Sequence, residues 1–386
     1  MARPFARGLI AAAAVWLTGC VSAQPPAAAV RPEAVPPVSA APAAPARVAP
    51  TRPAPARPPQ LWAFTRLRGT DYVSVREVAA RFNLKAAWTK PETIMTLSDS
   101  RGVRFTFEAN QRDFYFDGLR VLLGEGVLND RDSLWVSKLD VIKLVAPLFS
   151  PADHLAFLPV TAPRTIVLDP GHGGSDPGKE NKLLGVNEKT LTLDVALRVR
   201  KILEARGWRV LMTRSDDREL SPIKKKDLQM RDDYANSNQA DLYLSIHFNS
   251  VEKDSERVTG VETYTMTPQF MLSAANLEKD KLTDTAFPGN KLDYANLLFG
   301  EQIHRAMLGG LKTPDRGFKR GRLAVLQFLD CPGALVECGY LSSIVEARRI
   351  ATAEFRQKIA EAIASGVQGY AETLAALRAT PGSAAK

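Results

Sequence analysis

From Thr165 onward the sequence predicts an α/β sandwich, and three observations predict it. Apolar runs of strand length, such as "TIVLDP", "WRVLMTR" and "ADLYLSIHFNS", alternate with longer stretches of helical periodicity. Breakers separate the two kinds of segment; Gly207, for example, stops the stretch "EKTLTLDVALRVRKILEARG". Polar, chemistry-bearing residues collect at the C-terminal ends of the apolar runs, where open α/β sheets build their sites.

Residues 1–20 read "MARPFARGLIAAAAVWLTGC". Arg3 and Arg7 form a positive start, and Leu9–Leu17 is too short to span a bilayer as a mature helix. The end, Leu17-Thr18-Gly19-Cys20, resembles the lipobox of bacterial lipoproteins. That resemblance implies a signal peptide over 1–19 and a lipid anchor in the membrane through Cys20. Val21 after the cysteine favours the outer membrane by the enterobacterial rule, hence a periplasm-facing lipoprotein of the cell envelope. Residues 20–60 are nearly all Pro, Ala, Val and Arg. Such a segment cannot offset the entropy of ordering and favours extended polyproline II. At about 3.1 Å per residue, forty residues reach roughly 120 Å, enough to anchor on one layer and work on another.

Residues 61–160 are expected to form a small α+β domain. "YVSVREVAARF" from Tyr72 and "WVSKLDVIKLV" from Trp135 echo one another as strand, serine and amphipathic helix. Ser74 with Glu77 makes a capping-box pattern, and Ser137 with Asp140 a weaker one. Between them "TIMTLSD", "VRFTFEA" and "DFYFDG" alternate like a hairpin sheet. The layout resembles the stalk-like domain of copper amine oxidases that recurs in envelope proteins. The stretch 61–150 holds no histidine or cysteine, so no metal is expected there; spacing, wall binding and dimerisation remain open.

In 161–379 the expected order is strand "TIVLDP", the helix ending at Gly207, strand "WRVLMTR", helix "LQMRDDYANSN" and strand "ADLYLSIHFNS". Helix "LDYANLLFGEQIHRAMLGGL", strands "LAVLQFL" and "GALVECG", and a helical stretch over 345–377 follow; 380–386 is a disordered tail.

The chain carries 51 Lys and Arg and a net charge of +9, without a dense basic cluster interleaved with aromatics. Nucleic acid is therefore not an expected partner; the charge serves solubility or a polyanionic neighbour such as cell-wall polymer. Four histidines (154, 172, 247 and 304) and three cysteines (20, 331 and 338) exclude a disulfide framework and a four-cysteine zinc site.

The glycine loop of "TIVLDPGHGG" invites a phosphate-cradle reading, which fails. Counting Gly171 as the first, the sixth position is Asp176 instead of glycine, no Gly-Lys-Ser/Thr follows, and Asp169 and Asp176 repel phosphate. A metal suits the residues better. In "DLYLSIHFNS", Leu242, Leu244 and Ile246 share one face, leaving His247 on the other at the strand's end. His172 also follows a strand end, and Glu188 opens the next helix behind Asn187, an expected N-cap. Two histidines and a glutamate are a standard catalytic zinc set. In "GALVECGYLSS", Glu337 stands opposite Ala334, Val336 and Cys338, a costly place for an idle charge.

"LDPGHGG", "NEK", "SIHFNS" and "LVECGYLSS", in that order, resemble the zinc-dependent N-acetylmuramoyl-L-alanine amidases of the amidase 3 type. "MTRSDD", "RDDYANSNQADLYLSIH" and "DRGFKR" agree with this. The resemblance implies a mixed sheet of about six strands flanked by helices. It implies Zn2+ on His172, Glu188 and His247, Glu337 as catalytic glutamate, and peptidoglycan as substrate. The reaction would cleave the amide between N-acetylmuramic acid and L-alanine of the stem peptide. The rival readings are a zinc peptidase cutting within the stem and a non-catalytic wall-binding lipoprotein. No protein activator can be named.

Asn249, on the face of His247, either orients a ligand or substrate or caps the loop. Arg316 and Lys319 either meet substrate carboxylates or solvate the surface. Phe248 is expected to pack, His304 to lie on the surface of its helix, and Cys331 and Cys338 to stay unpaired. Residues 266–290 are a candidate substrate-flanking loop.

Overall fold

The computed structural model describes residues 62–276 and 278–379. The leader 1–19, Cys20, the linker 20–60 and the tail 380–386 lie outside the described residues.

The N-terminal part begins with β1 (Thr65–Leu67), β2 (Thr70–Ser74) and α1 (Val75–Arg81). A run of antiparallel strands follows: β3 (Lys85–Lys90), β4 (Ile94–Asp99), β5 (Gly102–Glu108), β6 (Asp113–Phe116) and β7 (Leu119–Leu122). Next come β8 (Leu128–Asp130), β9 (Ser133–Ser137), α2 (Lys138–Asp140), a π-helical turn Val141–Val145 and α3 (Ala146–Phe149). The two echoed segments lie side by side, with Val73 of β2 opposite Val136 of β9. Ser74 caps α1 by accepting from Arg76 N at 3.2 Å. The Ser137 cap is better formed: its Oγ accepts from Asp140 N at 3.0 Å and donates to Asp140 Oδ2 at 2.6 Å.

The C-terminal part contains β10 (Thr165–Pro170), β11 (Glu180–Asn181), β12 (Val186–Asn187), α4 (Glu188–Ala205), β13 (Arg209–Met212), α5 (Lys224–Ser237) and β14 (Leu242–Asn249). It continues with β15 (Val261–Met266), α6 (Asp293–Leu311), β16 (Asp315–Gly321), α7 (Ala324–Gln327), β17 (Gly333–Tyr340), α8 (Ile344–Ala351) and α9 (Ala353–Ala379). Six of these strands run in the order β13-β10-β14-β17-β15-β16, parallel except where β15 meets β17, while β11 and β12 pair with each other. This is the expected mixed sheet. Leu242, Leu244, Ile246 and Phe248 face a core closed by α4, α6 and α9, while Tyr243 faces α5 and α7.

Three features differ from expectation. "LAVLQFL" is no strand: Ala324–Gln327 form the short helix α7, and "DRGFKRG" takes the sheet position as β16. A short apolar run is compatible with a strand or a buried helical turn, and periodicity alone does not separate them. Secondly, the sheet does not stop at the start of the C-terminal part. Phe318 of β16 pairs with Val121 of β7, so β3–β7 extend the same sheet to eleven strands. Phe318, Leu297 and Met271 belong to the core of the N-terminal part, and Lys143 reaches Asp293 at 3.0 Å. Thirdly, residues 267–287 do not leave from the end of the sheet that carries His247. β15 is antiparallel to β17, with Glu262 opposite Glu337, so Met266 lies toward the other end. The segment is tied there by Arg322, which donates to Pro268 O, Met271 O and Thr283 O, and by Arg112 of the N-terminal part, which donates to Asn276 O at 2.6 Å.

Candidate metal centre

His172 follows β10, Glu188 is the first residue of α4, and His247 lies near the end of β14. Chain order separates them, but β10 and β14 are adjacent parallel strands and α4 starts beside their ends. Their three ligand atoms lie within 4.8 Å of one another. Asn187 caps α4 as expected, its Oδ1 accepting from Thr190 N at 3.1 Å.

Glu188 is buried and binds both imidazoles. Its Oε1 accepts from His247 Nδ1 at 2.9 Å and from Phe248 N at 3.0 Å; its Oε2 lies 3.0 Å from His172 Nε2 and accepts from Lys179 N at 2.8 Å. Burial would raise its pKa, but the His172 and His247 contacts outweigh it and hold the carboxyl well below its ordinary range. Asp176 Oδ2 lies 2.9 Å from His172 Nδ1 and also pairs with Lys224. Burial of His172 favours the neutral ring, yet Glu188 and Asp176 together hold its pKa above the ordinary value.

The His172 backbone is itself constrained. Its φ is +63°, a left-handed conformation that costs a non-glycine residue about 1–2 kcal/mol. Two buried arginines hold it there. Arg231 donates to His172 O at 3.0 Å and to Pro170 O at 3.1 Å, while Arg214 donates to Pro170 O and Gly171 O at 3.0 and 2.9 Å. Arg231 is anchored in turn by Asp227 and by Asp169, both at 2.9 Å or less. Asp169, fully buried, also accepts from Thr213, Tyr243 and Ser245. Asp169 of the opening motif, Thr213 and Arg214 of "MTR" and Arg231 of "RDDYANSN" thus join in one network that fixes the loop carrying His172.

Glu337 stands beside His247 in register and opposite Glu262 on its other side. Its Oε2 is buried without a hydrogen-bond partner among the described residues. Burial, with Glu188 and Glu262 nearby, pushes its pKa well above the ordinary value; Lys319 and Lys179 act in the opposite sense.

The low-specificity expectations divide. Lys319 is taken by Glu262, at 2.7 Å. Asn249 Nδ2 donates to Glu262 Oε2 at 3.3 Å, and Tyr264 donates to the same atom at 2.7 Å. The Tyr340 hydroxyl also donates to Glu262. Arg316 lies over the Tyr340 ring, 5.8 Å from its centroid. His304 is not on the surface: it is fully buried, with Nδ1 3.0 Å from Thr263 Oγ1 and Nε2 2.9 Å from Asp315 Oδ1. α6 packs on α9 and on the sheet, so little of its circumference is left for solvent. Phe248 is buried and the two described cysteines are free, as expected. Sequence reasoning missed Asp176, the Asp169–Arg231 pair and Glu262. The i,i+4 spacing of His172 and Asp176 was a usable signal for the first.

Two imidazoles and a carboxylate converge beside an unpartnered carboxyl, at the carboxyl ends of strands in a mixed sheet, an arrangement of a hydrolase site that could hold a metal. The chain belongs to the N-acetylmuramoyl-L-alanine amidase family, whose model matches residues 166–369, just over half of it. It is 34% identical over 206 residues to the amidase LytC of Bacillus subtilis, covering 53% of this chain and 35% of that protein. It is 31% identical to the germination-specific N-acetylmuramoyl-L-alanine amidase of the same organism, covering 54% of this chain and 79% of that one. The crystal structure of N-acetylmuramoyl-L-alanine amidase from Clostridium difficile 630 aligns over 55% of this chain and 99% of that one, with 28% identity and a TM-score of 0.44. The match thus spans about a third of LytC but most of the germination-specific enzyme.

Proposed function

We propose that this protein is a zinc-dependent N-acetylmuramoyl-L-alanine amidase acting on peptidoglycan, held at the envelope by a lipid on Cys20. The observation that carries the reading is the convergence of His172, Glu188 and His247 within 4.8 Å, with Glu337 alongside.

The residues fit a zinc ion. The donor set is two nitrogens and one carboxylate, the combination of zinc hydrolases. Asp176 behind His172 is the carboxylate–histidine arrangement that orients a ligating ring. Glu188 and Asp176 favour positive charge at His172, and a divalent cation supplies that charge at the same place. When bound, zinc would polarise the scissile carbonyl and acidify the attacking water.

The chain's own groups do the rest. Glu337 Oε2, free of other partners, is placed to take a proton from water and return it to the departing L-alanine nitrogen. Its buried, carboxylate-flanked setting makes the proton bind more firmly than on a free glutamate, and Lys319 and Lys179 act in the opposite sense. The Arg214 and Arg231 contacts hold the His172 loop in place. The tether of residues 20–60 would let the anchored enzyme reach the wall.

The test is Glu337→Gln in the full chain. The variant retains one zinc per chain by elemental analysis and loses peptide release from purified peptidoglycan by at least about a hundredfold. A variant that releases peptides at the wild-type rate overturns the mechanism.

A further inference from the structure

Four residues stand at one level across four neighbouring strands. His247 on β14 is level with Glu337 on β17, and Glu337 with Glu262 on β15. On β16 the register shifts at this same level. Val261 pairs with Asp315 and Thr263 with Phe318, so Arg316 and Gly317 together stand opposite the single residue Glu262. Gly317 has φ +104°, a conformation glycine supplies without strain. A bulge of this kind re-aims a side chain next to an active site. Here it puts Arg316 at the end of the row that begins with His247.

The charges along this row are unequal. Glu262 is satisfied by Lys319, Tyr264, Tyr340 and Asn249. Arg316 has no such carboxylate; its guanidinium hydrogen-bonds the Tyr340 side chain instead. No carboxylate among the described residues forms an ion pair with it, and its Nε is buried without a hydrogen-bond partner. Its guanidinium rests over Tyr340, and its stem passes Gly260, where an added Cβ would come within 3.0 Å of Arg316 Cγ. A part-buried guanidinium held in one place without its own anion is costly, and an incoming anion repays that cost.

We propose that Arg316 is the carboxylate-reading residue of the substrate groove, and that it takes the free α-carboxylate of the second stem residue, a γ-linked glutamate. This rests on the amidase reading. An extended chain advances roughly 3.5 Å per residue, so that carboxylate lies roughly 6–8 Å from the scissile bond. β16 lies two strand spacings, roughly 10 Å, from Glu337, and an arginine side chain spans the difference. Lys319 lies on the same strand but is committed to Glu262, so the discrimination falls on Arg316. The stem peptide therefore runs from the metal centre across β17 and β15 toward β16.

The experiment compares two synthetic substrates with the full-length, zinc-loaded protein: a muramoyl tripeptide carrying the free glutamate α-carboxylate, and the same compound with that carboxylate as a carboxamide. The wild type is expected to favour the carboxylate at least about tenfold in kcat/KM. Arg316→Gln is expected to bring the two within about twofold, and Arg316→Lys to keep part of the preference. A wild type that cleaves both equally, or an Arg316→Gln variant that keeps the full preference, overturns the subsite while leaving the amidase reading intact. A wild type that cleaves neither overturns both.

Discussion

Gly178 lies between His172 and Glu188 in the chain and against both in space. Its φ is +67°, and an added Cβ would lie 2.6 Å from Glu188 Oε2 and 2.7 Å from both Glu188 Cβ and His172 Cδ2. Gly178→Ala thus carries two penalties. The left-handed backbone costs an alanine about 1–2 kcal/mol. Carbon contacts settle near 3.5–4.0 Å, so Glu188 or the loop must also retreat by about 1 Å. Gly185, near the end of the same β11–β12 excursion, separates the two effects. Its φ is +63°, but nothing lies within 4 Å of its would-be Cβ. Gly185→Ala should lose about 1–2 kcal/mol of unfolding free energy and keep its zinc affinity. Gly178→Ala should lose at least that, and at least about tenfold in zinc affinity, the scale seen when a ligand's support is disturbed. Competition titration against a chromogenic chelator, with urea unfolding of the same samples, reads both quantities. Equal zinc affinities for the two variants would refute the idea that Gly178 is there to let Glu188 and His172 meet.

Asp169→Asn removes one of the two buried carboxylates that hold Arg231 and should destabilise the protein by about 3 kcal/mol at pH 7 by urea unfolding. Despite burial, Arg231 and the Thr213, Tyr243 and Ser245 hydroxyls hold the Asp169 carboxyl well below its ordinary range. A depressed pKa gives stability that is complete above the unfolded value, about 3.9, and lost as pH falls through the folded one. The gap between wild type and Asp169→Asn should therefore narrow as pH drops below about 4; a gap that widens contradicts the assignment. Phe318→Ala should cost about 3–5 kcal/mol, because the ring is fully buried between the two parts of the chain. Calorimetry of the wild type should show one transition for residues 62–379, since sheet and core run through both parts; two well-separated transitions would count against that coupling.

The convergence of His172, Glu188 and His247 beside Glu337 was legible because alternation along a strand decides which side chains leave the apolar face. His247 and Glu337 announce themselves as polar residues on strands whose opposite faces are Leu242, Leu244, Ile246 and Ala334, Val336, Cys338. Glu188 followed from the cap at Asn187. The environment of these residues was less legible, because it is built from pairs distant in sequence. Asp169 reads locally as an acid that repels phosphate; its meaning lies in Arg231, 62 residues on. Lys319 and Arg316 look alike in "DRGFKR", and only the pairing of β15 with β16 shows one committed to Glu262 and the other without an ion pair among the described residues. The pairing of β7 with β16 joins positions nearly 200 residues apart through one register contact, Val121 with Phe318. No local periodicity carries that information. The same topology moved residues 266–290 from an expected place beside the substrate to the far end of the sheet, since the direction of β15 is fixed by its neighbours.

The most direct measurement is the identity of the bond that is cut. Purified peptidoglycan is digested with the zinc-loaded wild type, with the chelator-treated protein and with the chelator-treated protein after zinc is restored, and the products are read by mass spectrometry. Intact stem peptides with a free L-alanine amine and unsubstituted muramic acid are the expected products, lost on chelation and regained with zinc. Fragments cut within the stem peptide, or release indifferent to chelation, would contradict the proposed zinc-dependent amidase activity.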